Sequence, residues 1–100
     1  MPRRRCFRRI SGFPEINYFK PAGVRMRDIG EVVLNVEEWE AIRLVDFMKK
    51  SQEEGAKAMG ISQPTFHRVL RSARKKVAKA IIEGLALRIE GGSFEVESKE

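Results

Sequence analysis

The sequence predicts a mainly α fold, in which a three-helix core follows an extended basic N-terminal arm and precedes a C-terminal β-hairpin. Three observations carry this. Apolar residues take up a helical period at Asn35 and keep it to about Ile82, as amphipathic helices require. Cap and glycine signals cut that stretch into three helices. The flanking segments, residues 1–34 and 85–100, lack the helical period and carry proline, glycine and strand-like alternation instead.

Residues 1–30 hold three of the four prolines and three glycines. Arg5 to Ile10 reads as a strand, and Phe19-Lys20-Pro21-Ala22-Gly23 as a turn. Asn35 is placed to cap the first helix, with Glu38 three residues on as an Asn variant of the capping box. Val36, Trp39, Ile42, Val45 and Phe47/Met48 form its apolar stripe, flanked by Leu44. Glu37, Glu38 and Glu40 sit in the first turn, where the helix dipole favours acids, and Lys49 and Lys50 close the far end. This first helix is expected over 36–48.

Ser51-Gln52-Glu53-Glu54 is a full capping box. The helix it opens must be short, because Gly60 ends it as a left-handed residue that needs no β-carbon. Ser62 caps again, and Pro64 falls in the next first turn, where its missing N–H is no loss. Phe66, Val69, Leu70, Ala73, Val77 and Ile81 then make one stripe, predicting a third helix from about Gln63 to Ile82 that ends near Gly84. Leu85–Glu90 and Ser93–Glu97 alternate around Gly91-Gly92, which predicts a hairpin, followed by a frayed polar tail.

One hundred residues suit one domain with an economical core. With 42% apolar and 34% charged residues, the chain reads as soluble and globular. No apolar run approaches the roughly 20 residues of a membrane span, and the basic N-terminus is not followed by an apolar segment, so a secretory signal is not expected. Cys6 is the only cysteine, which excludes an internal disulfide and fits a cytoplasmic setting. No paired carboxylates, nucleophile–base pair, phosphate loop or metal-ligand spacing is present. Neither an enzyme nor a cofactor or metal site is therefore expected.

Net charge is +6, and it is unevenly spread: residues 1–30 carry eight Lys/Arg against two acids, and 51–82 seven against two, while the intervening and final segments are acidic. Two basic blocks suit a polyanionic partner, because neutralising phosphates releases counterions.

The residues from about Gln52 to Arg71 fit a helix-turn-helix. That motif needs a small residue where helices cross, a turn residue tolerant of positive φ, and flanking apolar anchors. Ala56 is the small residue, Gly60 the turn, and Met59, Ile61, Phe66 and Val69 the anchors. Gly55 disagrees: it stands where an apolar residue would pack, and a mid-helix glycine costs up to about 1 kcal/mol relative to alanine.

Opposite the stripe, the third helix presents Gln63, Pro64, His67, Arg68, Arg71 and Lys75. In such a motif the N-terminal residues reach base edges and later basic residues meet phosphates. Gln63 suits adenine, and Arg68 or Arg71 suits guanine. Thr65 lies at the margin, near a thymine methyl or a phosphate. Arg74, Lys75, Lys76 and Lys79 are placed as backbone clamps, and the amides of Ser51 and Gln52 as a further phosphate contact. Arg3, Arg4, Arg5, Arg8 and Arg9 form an arm suited to the minor groove. Trp39 reads as core in preference to a stacking platform, and His67 has no second histidine for metal or catalysis. The acids Glu37, Glu38 and Glu40 read as dipole partners or, less simply, as a surface for a protein.

Leu34 through Ala78 resembles region 4 of bacterial sigma factors, in Glu38-Trp39-Glu40-Ala41-Ile42-Arg43-Leu44, Ser51-Gln52-Glu53-Glu54 and Met59-Gly60-Ile61-Ser62. Nearly the whole chain resembles uncharacterised protein family 0251 (domain of unknown function 134), in Tyr18-Phe19-Lys20-Pro21-Ala22-Gly23, Pro64-Thr65-Phe66, Ala73-Arg74-Lys75-Lys76-Val77 and Ile89-Glu90-Gly91-Gly92. The resemblance implies a sigma-like DNA-binding helix-turn-helix without a cellular role attached. The expected function is sequence-specific double-stranded DNA binding in transcriptional regulation. The alternative is an adaptor to the transcription machinery or another regulator, with DNA secondary. A homodimer would offer two recognition helices to a two-fold site.

Overall fold

The computed structural model describes residues 8–92 and 94–96. Arg3, Arg4, Arg5, Cys6 and the tail 97–100 lie outside the described residues. Strand β1 (Arg8–Ile10) and the two-residue β2 (Tyr18–Phe19) precede a single 3-10 turn at Met26–Asp28 and strand β3 (Glu31–Leu34). Helices α1 (Val36–Ile42), α2 (Gln52–Met59) and α3 (Gln63–Glu83) follow, then β4 (Ala86–Ile89) and β5 (Phe94–Val96). The chain is thus mainly helical with a small sheet component.

The helix boundaries follow from local chemistry. At α1 the Asn35 N–H donates to Glu38 Oε1 at 2.8 Å. At α2 Ser51 Oγ accepts from the Glu54 N–H at 3.0 Å while the Ser51 N–H donates to Glu54 Oε1 at 2.9 Å. Gly60 and Gly84 end α2 and α3 in left-handed conformation, with φ of 69° and 68°. Past Ile42 the first helix widens: over Arg43–Phe47 it closes i→i−5 bonds, such as Met48 N–H to Arg43 O at 2.8 Å. Lys49 then takes φ 66°. The predicted helix 36–48 is therefore regular only to Ile42.

The predicted hairpin does not form. β4 is the centre of a three-stranded sheet, antiparallel to β2 (Tyr18 opposite Arg88) and parallel to β3 (Val32 opposite Leu87). Both of its edges are occupied, so β5 has none to join. Gly91 and Gly92, at φ 77° and 106°, carry the chain across to β1, where β5 pairs in parallel with Arg9 opposite Glu95. A β-carbon on Gly92 would overlap the Glu37 carboxylate. The N-terminal segment is correspondingly more than an arm, since β1, β2 and β3 all pair with strands that follow α3.

Two buried clusters hold the layers together. Ala41, Leu44, Ala56, Met59, Phe66, Val69 and Leu70 fill the space between the helices. Ile10, Leu34, Val36, Ala73 and Ile89 join the strands to α1 and α3, with Trp39, Val77 and Leu87 packed against them. Trp39 is thus a half-buried member of the core. The α3 stripe ends one turn earlier than predicted: Ala80 is buried but Ile81 is 72% exposed, because the strands cover α3 on the Ala80 side.

Candidate nucleic-acid interface

The unit formed by α2, the turn and α3 is set by a close approach. A β-carbon on Gly55 would overlap the Phe66 ring, falling 2.9 Å from its Cε1 atom. Gly55 therefore fits where sequence reasoning found a misfit, and together with buried Ala56 it lets the fully buried Phe66 ring dock onto α2. The turn is closed by the Ile61 N–H donating to Ala56 O at 3.0 Å. Ser62 Oγ then caps α3 by accepting from the Thr65 N–H at 3.3 Å.

With Phe66, Val69, Leu70 and Ala73 buried, Gln63, Pro64, His67, Arg68, Arg71, Arg74, Lys75 and Lys79 are all exposed on α3. His67 Nδ1 lies 3.2 Å from Gln52 Oε1, which ties the start of α2 to the face of α3. Thr65 is half-buried, and its hydroxyl accepts from Ser62 Oγ at 2.9 Å and Arg68 Nη2 at 3.4 Å.

Other expected contacts are already engaged within the chain. The Ser51 amide is taken by Glu54, whose carboxyl is held below its ordinary range first by that backbone donor and then by the Ser51 hydroxyl. An anionic side chain thus stands where a phosphate was expected. Arg74 makes a two-pronged contact to Asp46, at 3.1 and 2.7 Å. That hydrogen bonding is the main reason the Asp46 carboxyl is lowered and the Arg74 guanidinium raised. Lys76 donates to Glu38 Oε1 at 2.8 Å.

The acids of α1 are not a surface. Glu37, Glu38 and Glu40 are 7%, 6% and 3% exposed. They face Arg8, Lys76 and Arg43 respectively, at 3.6, 2.8 and 2.8 Å. Arg8 and Arg9 belong to β1, so they are fixed parts of the fold instead of an arm, and the Arg9 guanidinium packs over Gly60. A strand here is what the sequence predicts over Arg5 to Ile10, whereas its pairing with β5, over eighty residues away in the chain, was not legible.

Among the described residues no group of three His, Cys, Asp or Glu could hold a metal ion, and no helix is long and apolar enough to cross a membrane. Residues 1–97 match the family described as "Protein of unknown function DUF134". The chain belongs to that family. Among its relatives, a UPF0251 protein of Pelotomaculum thermopropionicum is 54% identical over 96% of this chain and 73% of its own length. One of Halothermothrix orenii is 57% identical over 89% of this chain and 66% of its own length. One of Dehalococcoides mccartyi is 50% identical over 99% of this chain and 85% of its own length. No solved structure matches the chain.

Proposed function

We propose that this DUF134 protein is a cytoplasmic, sequence-specific double-stranded DNA-binding regulator of transcription. In this reading α2 and α3 act as a helix-turn-helix of the sigma region 4 kind. The observation that supports it is the continuous exposed ridge on α3, from Gln63 through His67, Arg68 and Arg71 to Lys75, set opposite a fully packed stripe. An exposed helix N-terminus followed by basic turns has the form that enters a major groove. The adaptor reading drew on acids in α1 and an apolar hairpin. Those acids are spent in internal ion pairs and the hairpin does not form, so DNA is the better-supported partner.

Selection of bound duplexes from a random pool tests this directly. Enrichment of a defined sequence is expected, with two-fold symmetry if the protein binds as a homodimer; an unenriched pool and negligible affinity at low salt would end the reading. Arg68→Ala should lose about 1–3 kcal/mol on the selected site and little elsewhere. Lys75→Ala should weaken all duplexes alike.

Asp46 holds Arg74 back from the ridge. Asp46→Asn should therefore strengthen binding to all sequences and steepen its salt dependence by up to about one phosphate contact. Because the Asp46 carboxyl is lowered, its grip is complete above the ordinary carboxylate range and is lost only as pH falls below it. The increase should accordingly be present at neutral pH. Unchanged affinity in titrations at two salt concentrations would show that Arg74 never turns outward.

A further inference from the structure

The exposed Arg9 side chain has no ion pair or hydrogen bond among the described residues, and its backbone is placed by strand pairing. Its strand pairs with β5 in a defined register, and its Nη2 and Nε lie 3.1 and 3.2 Å from where a Gly60 β-carbon would be. Gly60 holds the left-handed conformation of the turn, at φ 69°, beneath that guanidinium. Beside it a cleft of about 360 Å³ is lined by Arg8, Gly60, Ile61, Ser62 and Thr65. Arg8 Nε is sealed from solvent with no hydrogen-bond partner, an uncommon state for a buried donor. The charge of Arg8 is offset by Glu37 at 3.6 Å, and the Arg9 guanidinium stands beside the cleft at its Gly60 edge. Among their described contacts the hydroxyl of Thr65 only accepts, which leaves its proton to donate.

We propose that the cleft at the α2–α3 turn is a phosphate site, in which Arg9 grips a backbone phosphodiester of the duplex while α3 reads the adjacent groove. This rests on the DNA reading and deepens it: the N-terminal strand becomes a rigid clamp of the backbone instead of a minor-groove arm. A guanidinium fork is the side chain best shaped for a phosphodiester. The contact carries no sequence information, because phosphates are the same at every step.

The test is the salt dependence of binding of the full chain to a short random-sequence duplex. Arg9→Gln should flatten the slope of log affinity against log salt by about 0.9, the contribution of one phosphate. It should weaken every sequence alike, and Arg9→Lys should keep most of the slope. In the wild type the Arg9 Nε–H resonance should shift on adding duplex and not on adding inorganic phosphate at matched ionic strength. A slope in Arg9→Gln equal to wild type, while Lys75→Ala loses its contact, overturns the Arg9 site and leaves the DNA reading intact. A response to inorganic phosphate at equal concentration also overturns the assignment to a backbone phosphate. Absence of salt-dependent duplex binding by the wild type overturns both.

Discussion

Replacing Phe66 with alanine is expected to cost about 3–5 kcal/mol, most of the stability of a domain in the usual range of about 5–15 kcal/mol. The ring is fully buried, and it is the largest side chain in the cluster between the helices. It also carries the docking of α2, whose buried residues are Gly55, Ala56 and Met59. An eight-residue helix is marginal alone in water, so without the ring α2 loses what orders it against α3. Denaturant unfolding should show a large drop in midpoint. The reciprocal change is Gly55→Ala. Helix propensity alone favours alanine by up to about 1 kcal/mol, but the added methyl must displace an enclosed aromatic ring. Overpacking costs of about 1–3 kcal/mol should win, and a stabilised Gly55→Ala would show that the two helices do not approach this closely.

The parts legible in the sequence are those decided within a few residues. The Ser51–Glu54 box, the Ser62 cap, the left-handed glycines at 60 and 84 and the stripe from Phe66 to Ala73 each depend on neighbours one helical turn away. What was not legible depends on distant partners. Gly91-Gly92 has the chemistry of a hairpin turn, yet strand pairing is decided by which edges are free, and β4 has none. Gly55 looked like a flaw because its justification, Phe66, lies on another helix. The glutamates of α1 resemble solvated dipole partners until Arg8 and Lys76 arrive from opposite ends of the chain. The same holds for the candidate site: the α3 ridge follows from periodicity, whereas the pairing of Arg74 with Asp46 spans 28 residues.

Glu38 shows how far such a distant pairing reaches, and Glu38→Ala is the second large effect expected. Its carboxylate, 6% exposed, accepts from the Asn35 N–H at 2.8 Å, from Ser72 Oγ at 2.6 Å and from Lys76 Nζ at 2.8 Å. It thus caps α1 and fastens it to α3 through two turns. Removing one partner of a buried ion pair costs about 3–5 kcal/mol. The Lys76 side chain is 32% exposed and can turn to water, so about 3 kcal/mol is expected. Because the carboxylate is buried, added salt should relieve little of the loss. Glu38→Gln keeps an acceptor for Asn35 and Ser72 and should cost less. Combining Glu38→Ala with Lys76→Met should recover part of the loss, as expected of contacting residues. The released Lys76 stands on the same helix as Arg71 and Lys75. Glu38→Ala should therefore lower stability while raising sequence-independent duplex affinity, and a loss in both, measured below the unfolding transition, would show that Lys76 does not reach the ridge.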